Sequence, residues 1–405
     1  MRKQILLFFA VYIIIHCTFN IENCICQWVQ TNGLSGIQVN KLSSNSNFII
    51  AGTTNGIYLS SNNGNNWSAR KLSNQYIISL ASNEQYIYAG TNGNGLFVSS
   101  NNGENWNTIN TGLSNLQVQT LNIIGNNLIA GTGGGGLFVT SNNGVNWNTL
   151  NNGLTVPYIS SFANSGTYFF AGTGGGGIFL STDNGSSWSF NNFQNKIINS
   201  IHIVGVNVFA CVFGDGVYLS TNNGSTWTPK NTDITNLYTR CLESDNTNVF
   251  LGTGNGVYLT TNNGNSWLLK NQGFYATPIV NSLLVNNGYI YSASYLLSVW
   301  RRSLSEIIGI KKINSGIPRE YFLEQNYPNP FNQSTMFNFQ CPMAGMVELN
   351  VFDMLGREVA VIVNEYLQAG TYEVRFDVGN LPSGIYFYQL KADYFSDTKK
   401  LILIK

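Results

Sequence analysis

From residue 28 to residue 303 the chain alternates short apolar runs with polar stretches of Asn, Gly, Ser and Thr. Within a run such as Leu137 to Ser141, apolar and polar positions follow a period of two, which predicts half-buried strands. Two motifs recur with these runs. The triplet Ala-Gly-Thr begins at Ala51, Ala89, Ala130 and Ala171, with looser versions at Ala210, Leu251 and Ser292. The box Ser/Thr-x-Asn/Asp-Asn-Gly-x-x-Trp appears six times and ends at Trp67, Trp106, Trp147, Trp188, Trp227 and Trp267, with spacings of 39, 41, 41, 39 and 40. A period near forty residues marks a repeat architecture.

Each unit reads as four strands: one such as Gln119 to Ile124, a second ending in the triplet, a third after a Gly-rich turn, and a fourth starting at the tryptophan. Asn-Gly between strands is a strong hairpin signal, because both residues tolerate positive φ. Seven units of four short strands predict an all-β, seven-bladed β-propeller. The seventh unit lacks both box and fourth strand, whereas Trp28 opens WVQTNGL, which mirrors WNTINTGL at 106–113. The N-terminal strand at 28–32 is therefore expected to complete the last blade and remove an exposed edge.

The box resembles the Asp-box, or bacterial neuraminidase repeat. STDNGSSW at 181–188 matches it fully, and the other five boxes put Asn where the family has Asp. Asn still accepts hydrogen bonds from turn amides, so the fold role survives without the charge.

Composition agrees with a strand-and-turn protein. Only 10% of residues are charged and 42 are Gly, while the net charge of +1 gives no electrostatic footprint for nucleic acid. Residues 1–26 read as a secretory signal: Arg2 and Lys3 precede the apolar run Ile5 to Ile15, which is too short to span a bilayer. Cleavage is expected between Cys26 and Gln27, with a lipoprotein as the alternative. The mature chain then has no transmembrane segment and keeps Cys211, Cys241 and Cys341, read as buried small residues. A Cys211 to Cys241 bridge would require adjoining strands. No metal-ligand spacing is present, and no cofactor is expected.

After Arg302 the period stops. Residues 304–321 read as a linker broken by Gly309, Gly316 and Pro318. Residues 322–405 carry LEQNYPNPFNQST, VELNVFDMLGREV, LPSGIYFYQL and KKLILIK, alternating strands that predict a small immunoglobulin-like β-sandwich of about seven strands. This segment resembles the type A C-terminal sorting domain of the type IX secretion system. The resemblance implies engagement of that machinery, export across the outer membrane, domain removal, and release or surface attachment.

Sialidase chemistry needs three convergent arginines, a Tyr nucleophile with a Glu, and an Asp acid/base. The propeller segment has only Arg70, Arg240, Arg301 and Arg302, placed on strands that do not converge. The dinucleotide-like Gly131-x-Gly133-x-x-Gly136 and Gly172-x-Gly174-x-x-Gly177 precede strands, so they read as hairpin turns. His202 reads as structural. If the Asn-Gly turns face away from the functional side, that side is built by the second-to-third strand turns and the connections between blades. Tyr76, Tyr158 and Tyr238 share one register there, thirteen residues before the triplet, with Lys196, Asp215, Arg240 and Tyr275 nearby. Such a face suits a glycan, peptide or protein ligand; the competing reading packs these tyrosines between blades. The expectation is a secreted, non-catalytic binding module, with an extracellular glycoside hydrolase or a structural, adhesive surface protein as alternatives. A plastid assembly factor with similar repeats is disfavoured by the sorting domain.

Overall fold

The structure, a computed structural model, describes residues 27–70, 72–314, 316–378 and 381–405. The expected signal at 1–26 lies outside the described residues. The chain divides into two compact units, one of Val29–Lys270 with Phe274–Leu304, the other built on Ser305–Lys405, with which Trp28 and Asn271–Gly273 are grouped.

Seven four-stranded antiparallel sheets make the first unit a β-propeller. Blade 1 comprises Val39–Ser44, Ile49–Thr53, Gly56–Ser60 and Ser68–Arg70. Blades 2 to 6 begin at Ile77, Val118, Ile159, Ile198 and Thr239 and repeat the pattern. Blade 7 supplies Val280–Asn286, Tyr289–Ser294 and Ser298–Ser303, and its fourth strand is Val29–Gln30, paired with Arg301 and Trp300. The expected closure is therefore present. Thr31 extends it: its N–H donates to Val299 O at 2.9 Å, and its hydroxyl donates to the same oxygen at 3.0 Å.

The boxes are turn-and-anchor devices. In the first, Gly64 N–H donates to Ser60 Oγ at 2.9 Å, and Asn66 N–H donates to Asn62 Oδ1 at 2.9 Å. Asn63 and Gly64 hold φ of 54° and 77°, which the Asn-Gly pair tolerates. Asp183 fills the same role with a charge, and its hydrogen bond from Ser181, followed by those from Ser187, lowers its pKa to about 2. The indoles then lock neighbouring blades. Trp147, Trp188 and Trp267 donate their N–H to Ile109 O, Leu150 O and Lys230 O on the fourth strand region of the preceding blade, at 2.8 to 2.9 Å. Trp67 donates to Thr31 Oγ1 at 3.0 Å and so ties blade 1 to the closing strand. Trp106 differs, donating to Gly103 O in its own turn.

The triplet explains how blades approach. A Cβ on Gly131 would sit 2.7 Å from Ile159 Cγ2 of the next blade, and one on Gly172 2.7 Å from Ile198 Cγ2, so only Gly fits there. Its threonine closes the following turn, as Thr132 Oγ1 donating to Gly136 O at 3.0 Å. Blade 5 breaks both rules together. Cys211 and Val212 replace Gly and Thr, and the next blade offers Thr239 in place of Ile or Val. The Thr239 hydroxyl donates to Gly216 O at 3.1 Å, restoring the lost bond from the other side of the seam. Cys211 and Cys241 are both buried and free, so the conditional disulfide does not form; burial pushes both thiols up, Cys241 to about 12.

The second unit is a β-sandwich of two four-stranded sheets. One contains Ile310–Asn314, Phe322–Leu323, Ser334–Cys341 and Gly370–Asp377; the other contains Gly345–Phe352, Glu358–Leu367, Gly384–Ala392 and Phe395–Leu403. The segment 304–321, expected to be irregular, instead opens with a short helix Leu304–Ile308 and an edge strand Ile310–Asn314 paired with Thr371, Tyr372, Glu373 and Val374. Its inward positions are Ile310 and Lys312, and a lysine at an inward site hid the alternation. The sorting motifs converge through hydrogen bonds: Asn326 Nδ2 donates to Thr335 Oγ1, Asn326 N–H donates to the Tyr388 hydroxyl, and Phe331 N–H donates to Ile402 O.

Candidate functional site

The first strand of every blade carries a bulge next to its opening residue. The extra residue in each, at 40, 78, 119, 160, 199, 240 and 281, lines a central cavity of ≈ 310 Å³. A bulge re-aims side chains and breaks regular pairing. Here it lets the ring residues reach sideways. Asn40, Ser160, Asn199 and Asn281 donate to Ile77 O, Ile198 O, Thr239 O and Val39 O of the next blade, at 2.6 to 3.0 Å. Arg240 Nη2 donates to Asn281 Oδ1 at 3.0 Å. The channel wall is thus a belt of amides and hydroxyls that satisfies its own backbone groups.

Besides the Cys241 thiol, four titratable groups interrupt that neutral lining: Lys41, His202, Arg240 and Glu243. Lys41 and Arg240 are exposed, and neither forms an ion pair among the described residues. Glu243 is half-buried. Burial raises its pKa to about 7, opposed by the Ser244 N–H, which donates to Oε1 at 3.0 Å, and by Lys41. His202 bonds Ser244 Oγ at 2.9 Å, and burial, then Lys41, lowers its pKa to about 4. It is neutral at physiological pH, in keeping with a structural role. Glu243 is the one carboxylate lining this cavity.

The arginines do not gather. Arg301 donates to Asn63 O and to Asn65 Oδ1 at 2.7 Å and lies 5.0 Å from the Tyr289 ring, while Arg302 is buried on the same third strand. Arg70 ends a fourth strand. Only Arg240 reaches the channel. After Gly131, Gly133 and Gly136, and after Gly172, Gly174 and Gly177, come the strands Leu137–Thr140 and Ile178–Ser181, as hairpins require.

The register shared by Tyr76, Tyr158 and Tyr238 is real. The residue before each bulged strand, at 38, 76, 117, 158, 197, 238 and 279, accepts a backbone hydrogen bond from the residue after its own blade's triplet, as Gly174 N–H to Tyr158 O at 3.0 Å. This places the row on one face with the second-to-third strand turns. Tyr158 packs one ring edge over Gly174 and leaves the rest exposed. Tyr238 stands 57% exposed, with its ring 5.3 Å from Phe213. Tyr275 is 66% exposed and 5.2 Å from Trp300. Lys196 and Asp215 pair at 2.8 Å and cancel one another; the bond to Asp215 raises the Lys196 pKa.

Beyond those residues the face holds an apolar sector. Ile197, Phe213, Leu237, Ile279, Tyr295 and Leu296 are exposed alongside Tyr238 and Tyr275 in blades 5 to 7 and their connections, against Tyr76, Leu116 and Tyr158 at the equivalent connections of blades 2 to 4. The opposite face, with its Asn-Gly turns, exposes Val145 and Val206 as its large hydrophobics among the described residues. Phe213 and Tyr295 both directly follow looser triplets, which was the available signal for them. Another cavity, of ≈ 300 Å³, lies on that opposite face between blades 2 and 3, lined by Tyr86, Tyr88 and Asn143. The described residues contain no cluster of metal ligands and no helix long and apolar enough to cross a membrane.

Comparison with known proteins separates the two units. Residues 325–405 match the secretion system C-terminal sorting domain family. This type IX domain directs export to the cell surface or extracellular space and implies interaction with the type IX machinery. No curated protein matches the chain. Among solved structures, YCF48 bound to D1 peptide is similar at TM-score 0.56 and 13% identity, covering 68% of this chain and 96% of that one. The GH74 xyloglucanase from Xanthomonas campestris gives TM-score 0.53 and 12% identity, covering 78% of this chain and 59% of that one. The computationally designed Ika8 protein gives TM-score 0.50 and 12% identity over 69% of this chain and 99% of that one. At these identities the likeness establishes the propeller fold and no more.

Proposed function

We propose that residues 27–303 form a non-catalytic module that binds polypeptide outside the cell, exported by the domain at 322–405. The observation that carries this reading is the apolar sector of blades 5 to 7. Exposed apolar groups gathered on one side of one face mark a partner surface, because water contact there is unfavourable until a ligand covers it. Its make-up selects the partner. Tyr238 and Tyr275 could stack on sugars, but Ile197, Leu237, Ile279 and Leu296 offer no flat ring to a glycan and suit the side chains of a peptide. Hydrolysis of glycosides is disfavoured by the lining itself, since the usual mechanism uses two carboxylates and the channel offers Glu243 alone.

The test is a peptide array probed with the full chain, repeated with Tyr275→Ser and Leu296→Ser. Both positions are exposed, so the variants should fold. Peptides rich in apolar residues should be retained by the native chain and lost by both variants. Retention of glycans instead of peptides, or binding indifferent to both substitutions, would count against the proposal.

A further inference from the structure

Beside the apolar sector, the channel mouth has a charge imbalance that the peptide reading leaves unused. Arg240 is the bulged second residue of the first strand of blade 6, two residues after Tyr238, and Lys41 lies on the first strand of blade 1. Blade 7 stands between them and contributes Asn281, which holds the Arg240 guanidinium at 3.0 Å. Held at one nitrogen, the guanidinium keeps other donors for a ligand, and Lys41 keeps its ammonium exposed in the same cavity. Glu243 sits three residues further along the blade 6 strand, about 10 Å deeper at the usual strand rise. It occupies the floor of the channel, leaving the mouth cationic.

We propose that Arg240 and Lys41 form a carboxylate pocket, in which an acidic group of the bound polypeptide enters the channel while neighbouring apolar residues cover blades 5 to 7. A cavity of ≈ 310 Å³ accommodates a single residue and not a whole peptide, so the channel serves as the anchoring half of a larger site. Planar donors of an arginine match a carboxylate well. The carboxylate could belong to a chain terminus or to an Asp or Glu side chain. Both present the same two oxygens.

This inference rests on the peptide reading for its ligand but can fail separately from it. Small probes test the pocket without the apolar sector: N-acetylglutamate against N-acetylglutamine, and N-acetylphenylalanine against its amide, titrated into the full chain by NMR. The acids should bind saturably and the amides should not. The first pair reports a side-chain carboxylate and the second a terminal one. In a peptide selected on the array, replacing the acidic group with its amide should weaken binding about tenfold, as should Arg240→Gln, in line with loss of a charge-assisted hydrogen bond. Lys41→Gln should weaken the acidic peptide and leave its amide analogue unchanged.

The floor adds a pH signature. Glu243 interacts with Lys41 and shares the cavity with Arg240, His202 and Cys241, and burial raises its carboxyl to about 7. Its negative charge is present at pH 8 and largely gone at pH 6. Acid binding should therefore tighten severalfold over that range, and Glu243→Gln should flatten the dependence. His202 stays neutral throughout, since burial holds its pKa down to about 4. If peptides bind with no loss on amidation or in Arg240→Gln, the pocket is wrong while the peptide reading stands. If the small acids bind but no peptide does, the pocket stands and the peptide reading falls. Preference for glucuronate or N-acetylneuraminate over both peptide acids would overturn the assignment in favour of an acidic glycan.

Discussion

Substituting Thr31 by Val tests how the ring is held shut. Valine keeps the branched shape and strand preference at a residue only 6% exposed but removes a hydroxyl engaged twice. That hydroxyl accepts the Trp67 N–H at 3.0 Å and donates to Val299 O at 3.0 Å. Val299 O keeps the Thr31 backbone N–H at 2.9 Å, so its loss is small. The indole N–H keeps no replacement on the closing strand. One net hydrogen bond plus a partly buried, unsatisfied donor amounts to about 2 kcal/mol. Trp67→Phe should remove the same bond from the other side, and the two changes should not add. Their coupling should be about 1 kcal/mol in a double-mutant cycle. Urea unfolding of the full chain reads this directly, because all eight tryptophans lie at or before Trp300 and none lies in the sorting domain at 325–405. Unfolding of Thr31→Val at the native midpoint, or strictly additive costs in the double variant, would refute the role assigned to this seam.

Two further expectations concern the repeat. Asp183→Asn should leave stability near neutral pH unchanged, because Asn222 and Asn262 show that an amide can donate to the residue four further on, at 2.9 and 3.0 Å. The sign of its acid effect is fixed: Asp183 has a depressed pKa, so its contribution is present above 3.8 and fades as pH falls towards 2, and the variant should lack that fading in acid melts. Gly131→Ala should cost about 1 to 3 kcal/mol by overpacking against Ile159. Adding Ile159→Thr should recover part of it in thermal melts, since Cys211 and Thr239 already meet that way; no recovery would undo the account of the triplet.

The blades were legible because their signals are local. Asn63-Gly64 and its five counterparts need only a few residues to declare a turn, and the triplet repeats with them. The absence of a box after Tyr289–Ser294 likewise pointed to the closing strand. The channel was not legible, because the bulge at Asn40, Arg240 and Asn281 breaks the period of two at the very positions that line it. Arg240 was singled out as a rare charge, yet Lys41 and Glu243 lie 202 residues apart and are brought together only by ring closure. The apolar sector escaped for a related reason: Phe213, Tyr295 and Leu296 occupy turns, where single hydrophobic residues carry no periodic signal. At 310–314 the pattern was disguised by Lys312 at an inward position.

The closing strand also sets an order of events. Each of the first six blades draws its four strands from one continuous stretch of chain, so it can assemble as soon as that stretch is available. Blade 7 alone joins Val29 to Arg301, a contact spanning almost the whole propeller. Such a long-range pairing is slow to form, because the loop entropy falls due before the contact is made. It is also brief in extent, with two paired residues. The ring should therefore shut last and part first at this joint, so that amide exchange at Thr31 outpaces exchange at the second strands of blades 2 to 6. Strain or proteolysis would meet the propeller as an opened arc of six sound blades before it met an unfolded chain.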